Sequence, residues 1–337
     1  MSLSEVVKEN VTFLVIGAGA WGLALTQTLA RKNSQVFLWD SNRELLAYLQ
    51  ENRKHPSFCP NIEIHQNIKI NFELSPCKYK AIFLVTPFQS LSAVSNLIQS
   101  AGITADHYIC ASKGISKNHF ELAHQILKPL LVTDASFIQL SGPSFAAEVM
   151  SGLPTAVTLG YKGINVEDFV KNYIHQPLFR TYLTDDYIGV EVGGALKNVI
   201  AIAVGISDGL ALGSNARAAL IVRGLNEIRS FGLSIGGEFN TFSGLSGLGD
   251  LVLTATDDQS RNRQFGKKIA EYNDVSEALN AVGKLVEGYQ TSQALDKVEE
   301  INREKYPIIS EIIEILLRER KPSQALDYLL SREPRSE

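Results

Sequence analysis

The stretch Val11-Thr12-Phe13-Leu14-Val15-Ile16-Gly17-Ala18-Gly19-Ala20-Trp21-Gly22 decides how the chain is read. Its first six residues are almost continuously apolar, which fits a strand covered by helices on both faces rather than one with a wet side. The glycines that follow match G-x-G-x-x-G, and a helical pattern over Trp21–Arg31 comes next. In a dinucleotide-binding turn Gly17 permits the sharp bend and Gly19 lets a pyrophosphate approach the backbone. Gly22 lets the helix pack closely on the sheet. Ala20 belongs to the same turn, where free N–H groups at the helix start face the phosphates. Trp21, bulky at this turn, is placed to lie along a cofactor. The competing reading is a glycine-rich turn with no ligand.

Outward from this stretch, strand candidates at Gln35–Trp39, Ala81–Val85, Tyr108–Ala111, Phe137–Leu140, Ala156–Leu159 and Phe179–Leu183 alternate with helical patterns such as Arg43–Glu51 and Ser90–Gln99. That alternation predicts an α/β fold: a doubly wound, Rossmann-like N-terminal domain over residues 1–187. Past Tyr187 the strand-like runs stop. Ile188–Ile206, Ala216–Phe231, Asn262–Glu271, Tyr289–Val298, Ile308–Leu317 and Ser323–Leu330 all suit helices, predicting a C-terminal all-helical domain over residues 188–337. No Pro/Ser-rich linker intervenes, so the two are expected to dock tightly around a cleft, with Ser331–Glu337 frayed at the end.

A length of 337 residues fits two domains. With 32 Lys and Arg against 36 Asp and Glu, the net charge of −4 offers no global field for nucleic acid, and no nucleic-acid partner is expected. Cys59, Cys77 and Cys110 have neither metal-ligand nor disulfide spacing, which predicts no metal site and a reducing cytoplasm. Met1–Asn10 lacks the apolar core of a secretory signal. Val190–Leu212 is interrupted by Glu191, Lys197 and Asp208, so it reads as a buried helix and not a membrane span.

Other residues carry chemistry. Asp40 ends the second strand candidate, at the offset where an acid accepts hydrogen bonds from an adenosine ribose and favours NADH. Ser41 and Arg43 follow, and Arg43 equally suits the 2′-phosphate of NADPH; Asp40 is also a natural helix cap. Lys113, in Ala111-Ser112-Lys113-Gly114, follows a strand on the side where open parallel sheets collect ligands. Ser141-Gly142-Pro143-Ser144-Phe145-Ala146 again joins strand to helix and offers Gly142 and Ser144 to a ligand. Lys197 interrupts the apolar run Gly193–Ile200, where desolvation would lower its pKa toward proton transfer near neutrality; snorkelling to solvent is the alternative. Asp250, in a glycine-rich turn, is available to pair with a lysine. Ser260-Arg261-Asn262 offers donors for a phosphate at a helix start, or serves as an ordinary cap. Glu287 precedes another helix.

Taken in order, Gly17–Gly22, Leu38-Trp39, Ser112-Lys113-Gly114, Ser141–Glu148, Glu191–Ala201, Gly244–Leu251, Ser260–Gly266 and Val286-Glu287-Gly288 resemble the soluble NAD(P)-dependent glycerol-3-phosphate dehydrogenase family of the bacterial biosynthetic type. The resemblance spans Val11 to about Leu330. It implies an oxidoreductase interconverting dihydroxyacetone phosphate and sn-glycerol 3-phosphate with NADH or NADPH, for glycerophospholipid biosynthesis. It implies Lys197 as the proton donor, with Lys113, Gly142, Ser144, Asp250, Ser260, Arg261 and Asn262 around a phosphorylated small molecule. It also implies Trp21, Lys113, Ala146, Arg261 and Glu287 against the nucleotide, and a homodimer. The chain departs from the family at Asp40-Ser41, where a basic residue is commoner, which leaves the choice of cofactor open. Trp21 stands at a variable position, and Ala255 where Cys is frequent. Two rivals remain: a related β-hydroxyacid or ketoacid reductase, and a non-catalytic dinucleotide sensor.

Overall fold

The computed structural model describes residues 11–333 apart from positions 34, 133, 284 and 300, so Met1–Asn10 and the last four residues of the tail lie outside it. Among the described residues the strands are β1 (Thr12–Ile16), β2 (Gln35–Trp39), β3 (Ile68–Ile70), β4 (Lys78–Leu84), β5 (Thr104–Cys110), β6 (Ser136–Ser141), β7 (Thr155–Lys162) and β8 (Phe179–Thr184). They form one sheet in the order β3-β2-β1-β4-β5-β6-β7-β8. Every neighbouring pair is parallel except β6 and β7. The helices between them are α1 (Ala20–Ala30), α2 (Arg43–Asn52), α3 (Leu91–Ser100), α4 (Ala123–Ile126), α5 (Ala146–Ser151) and α6 (Val166–Phe169).

The apolar run of β1 explains the sandwich. Phe13 and Val15 face a cluster with Leu23, Leu29, Leu38 and Phe169. Leu14 and Ile16 face the opposite one, with Ile82, Leu84, Leu91 and Ile98. Strand side chains alternate faces, so a strand buried on both sides must be apolar at every position. Strand order reverses between β1 and β4, whose ends align with Ile16 beside Leu84. At such a switch point the loops part and leave a crevice beyond the strand ends.

From Tyr187 onward the chain is helical: α7 (Tyr187–Gly209), α8 (Gly213–Ser234), α9 (Phe239–Phe242), α10 (Asp250–Thr256), α11 (Arg261–Tyr272), α12 (Val275–Val282), α13 (Glu287–Leu295), α14 (Pro307–Arg318) and α15 (Pro322–Leu330). Asp186 caps α7 by accepting from the Gly189 N–H at 2.7 Å, and its other oxygen accepts from the Glu238 N–H at 2.8 Å. The others wrap around α7: Leu196, Val199, Ile200 and Val204 share one core with Phe231, Phe242, Phe265 and Ile309. Among the described residues α7 is the one helix long and apolar enough to cross a membrane, and 94% of its most apolar window is buried within the fold. It also packs on β6 and β7, which joins the helical part to the sheet.

The strand β3 and the helices α4, α6, α9, α10 and α12 are absent from the elements foreseen in the sequence. β3 is three residues long and exists by pairing Val36 with Ile68 and Leu38 with Ile70 at the sheet edge. The orientation of β7 is likewise a tertiary outcome.

One glycine of α7 sets how closely the two parts approach. A Cβ at Gly194 would lie 2.8 Å from Ser141 Oγ and 3.5 Å from the Lys113 side chain. Overpacking a tight contact typically costs about 1–3 kcal/mol, so Gly194→Ala should lower unfolding stability by that order. Urea denaturation checks it: an unchanged midpoint would show that the contact is slack.

Candidate active site

The glycine turn has the geometry its residues foretell. Gly17 adopts φ +115°, and a Cβ there would press 2.5 Å from the Val85 carbonyl oxygen. A Cβ at Gly19, in contrast, would meet no atom within 4 Å, so this backbone faces open space. Gly19 caps α1 without any side-chain acceptor, which leaves first-turn N–H groups at Ala20 and Trp21 for an anion. Trp21 is half-buried against the sheet-face cluster.

Asp40 stands beside this turn. Its Oδ2 accepts from the Ala18 N–H at 2.6 Å and its Oδ1 from the Asn42 N–H at 2.8 Å. The cap of α2 is therefore not Asp40 but Asn42, which accepts from the Leu45 N–H at 3.0 Å. Ser41 is exposed, and Arg43 pairs with Glu73 at 2.8 Å.

Beyond β4 the chain passes Val85, Thr86 and Pro87 into a 3₁₀ turn at Phe88. Here two buried oxygens lack a partner: Thr86 Oγ1, and Oε2 of Glu287 at the start of α13. Glu287 accepts from the Phe88 N–H; burial pushes its carboxyl up to about 7, against that N–H and the positive charge of Arg261. Arg261 is exposed and forms no ion pair among the described residues. Open space above Gly19, uncapped helix donors and two orphaned oxygens along one path fit a bound dinucleotide. Buried polar atoms are otherwise nearly always satisfied. Ala146 opens α5 on the other side, half-buried.

Two lysines meet one carboxylate where α7 touches the sheet. Asp250 opens α10 directly after a π-helical turn, Leu245–Gly249, and is 1% exposed. Its Oδ1 accepts from Lys197 Nζ at 2.5 Å and its Oδ2 from Lys113 Nζ at 2.6 Å. Ser141 Oγ lies 3.4 Å from Oδ2. Lys197 also donates to Thr254 Oγ1 at 2.7 Å, and Lys113 to the Gly142 carbonyl at 3.3 Å, which Ser144 Oγ shares at 3.1 Å. Burial pushes the Lys197 ammonium down to about 8; Asp250 opposes this and Lys113 adds to it. For Asp250, burial pushes upward but the two ammonium groups outweigh it and hold the acid below the usual carboxylate range. Lys197 does not snorkel: it is 7% exposed and points into the seam.

The Ser260–Asn262 segment divides its labour. Ser260 is buried and caps α11 by accepting from the Arg263 N–H at 3.3 Å. Asn262 donates to Asn198 Oδ1 and accepts from the Gly288 N–H, each at 2.9 Å, tying α7, α11 and α13 together. Arg261 is exposed, makes no hydrogen bond or ion pair among the described residues, and acts on Glu287 through its charge. Arg263 is structural, pairing with Asp208 and Asp258.

The fold thus brings Lys113, Gly142, Ser144, Lys197 and Asp250 into one cluster and sets Arg261 near Glu287. The sequence reading missed Thr254. Its signal was the four-residue spacing from Asp250, which puts both on one helix face once Asp250 is seen to open a helix. Asn198, beside Lys197, was missed because its partner arrives from α11.

The family models described as NAD-dependent glycerol-3-phosphate dehydrogenase N-terminus and C-terminus match residues 12–166 and 186–327. A protein of Actinobacillus pleuropneumoniae named as an NAD(P)+ glycerol-3-phosphate dehydrogenase is 38% identical over 339 residues, covering 99% of this chain and 100% of that one. A namesake from Nitrosococcus oceani is 38% identical over 334 residues, covering 98% and 96%. The crystal structure of glycerol-3-phosphate dehydrogenase from Coxiella burnetii is 36% identical with a TM-score of 0.88, covering 96% of this chain and 99% of that one. With both halves matched and this site between them, the chain belongs to the NAD(P)-dependent glycerol-3-phosphate dehydrogenases, oxidoreductases that work with NADH or NADPH.

Proposed function

We propose that this enzyme reduces dihydroxyacetone phosphate to sn-glycerol 3-phosphate, and runs the reverse reaction, with Lys197 as the proton donor and acceptor. The observation that carries this reading is the Lys197–Asp250–Lys113 cluster at the seam. The reduced nicotinamide, when bound, supplies the hydride that reaches C2 of the ketone. As C2 accepts it, negative charge grows on the carbonyl oxygen and must be met by a fixed cation. The Lys197 ammonium has three N–H groups, two committed to Asp250 and Thr254, which leaves one for that oxygen. One carboxylate between two ammonium groups leaves a positive charge uncompensated, so the cluster attracts an oxyanion. Lys113 strengthens that field and holds Asp250 in place.

The remaining roles follow from position. Gly17, Gly19, Ala20, Trp21, Gly22, Asp40, Ser41, Ala146 and Glu287 cradle the nucleotide. Arg261, exposed and in no hydrogen bond or ion pair among the described residues, grips the substrate phosphate, with Ser260 and Asn262 shaping its helix start and Gly142 and Ser144 closing the opposite wall. Residues 1–187 serve as the nucleotide-binding domain and residues 188–337 as the substrate and catalytic domain. We place the enzyme in the cytoplasm as a homodimer in glycerophospholipid biosynthesis; the free thiols of Cys59, Cys77 and Cys110 are compatible with a reducing compartment.

General-acid help is worth about 10²–10⁴-fold, so Lys197→Ala should lower kcat by that factor while dinucleotide affinity is unchanged. Near-normal turnover in that variant refutes the assignment. Reduction needs Lys197 protonated and oxidation needs it neutral. Hence kcat/KM for the ketone should fall as pH rises through about 8, while that for the alcohol rises over the same interval; profiles flat across that value in both directions contradict this. Arg261→Ala should raise KM for dihydroxyacetone phosphate far more than for unphosphorylated dihydroxyacetone. Equal losses on both would remove Arg261 from the phosphate site, and faster turnover of 2-keto acids would favour the ketoacid reductase.

A further inference from the structure

We infer that the end of β2 selects NADH over NADPH, with the Asp40 carboxylate as the discriminating group. The inference rests on the dinucleotide-binding reading above and deepens it. Trp39 pairs with Ile16 in the sheet, so Asp40 emerges directly beside the Gly17–Gly22 turn. In folds of this kind the first strand's turn holds the pyrophosphate and the end of the next strand meets the adenosine ribose. NADH presents two hydroxyl donors there, whereas NADPH presents a phosphate in place of one of them.

The bonding of Asp40 suits the hydroxyls. Asp40 is fixed by the Ala18 N–H on one oxygen and the Asn42 N–H on the other. Each oxygen keeps a lone pair for a ribose hydroxyl. The same bonds, with the cap of α2, occupy three N–H groups that a 2′-phosphate could otherwise use. Ala18 and Asn42 give their N–H groups to Asp40, and Leu45, in the first turn of α2, gives its own to the Asn42 side chain. Glu44 adds a second acid to that turn. Arg43 is the cation best placed to offset them, but its guanidinium is engaged by Glu73, and the pair carries no net charge. Because both partners are largely exposed, that ion pair is a weak restraint. The charge of Asp40 is therefore the main barrier. A phosphate monoester brings a charge of about −1.5 to −2 against it.

The test is binding by the intact protein, read without turnover. Both tryptophans of the chain, Trp21 and Trp39, border this site, so their fluorescence reports occupancy. Titrated at low ionic strength, NADH should bind at least about tenfold more tightly than NADPH, as expected for a phosphate facing a fixed like charge. Asp40→Asn keeps the shape and removes the charge, so the NADH preference should shrink by about tenfold. Glu73→Gln, a surface change remote from the fold's core, should tighten NADPH severalfold by freeing Arg43 and leave NADH unaffected. Equal affinities in the native protein, or a preference unmoved in Asp40→Asn, overturn the inference. If Asp40→Asn does not fold, the native protein decides: equal affinities for NADH and NADPH count against the proposal. Failure of both dinucleotides to bind would instead defeat the dinucleotide reading itself.

Discussion

One carboxylate makes this site possible. Asp250 holds Lys113 and Lys197 at bonding distance in a seam where each charge alone would be expensive. Removing an ion from water costs several kcal/mol even after relaxation, and a buried pair is tolerable only when its geometry is good and its remaining donors are used. Here the geometry is good: each carboxylate oxygen takes one ammonium, and Thr254 and the Gly142 carbonyl take further N–H groups. The three ions come from three places, the loop after β5, the middle of α7 and the start of α10. The ion cluster is therefore also the joint between the sheet and the helical part. Chemistry and docking depend on the same bonds.

That constraint explains the character of α7. A helix that carries an ionisable group through the middle of a core must be apolar elsewhere, so that the cost of Lys197 is offset by burial around it. It must also be thin where it meets the sheet, which Gly194 provides at Ser141. Asn198, one residue on, ties the same helix through Asn262 to Gly288, next to Glu287. A run of bonded residues thus leads from Asn198, next to Lys197 in α7, to Gly288 and Glu287 beside the Phe88 turn.

Much of this was legible in the chain itself, where local pattern and function coincide. The apolar run of β1 and its glycine turn specify strand, bend and helix together, and the long α7 is marked by an apolar run buried on every face. What was not legible depends on partners distant in sequence. β3 is an Ile-Lys-Ile fragment that becomes a strand only because β2 offers an open edge. The starts of β4 and β5, Lys78-Tyr79-Lys80 and Thr104-Ala105-Asp106, extend the ladder with one buried residue, Tyr79 or Ala105, between two polar ones, too short an alternation to stand out. In the site, Lys197 was marked by a charge within an apolar run, whereas Thr254 has no such contrast. Asp40 looked equally suited to capping α2 until Asn42 was seen to hold that position.

The proposed mechanism requires Lys197 to deliver a proton to the substrate oxygen. Chemical rescue of Lys197→Ala by small primary amines addresses this directly, since an amine filling the vacated space supplies the missing acid without altering the fold. Turnover should return in proportion to amine concentration, with rates that follow the acidity of the ammonium ion used. If no amine restores activity, or if amines of very different acidity restore it equally, Lys197 is not the proton donor.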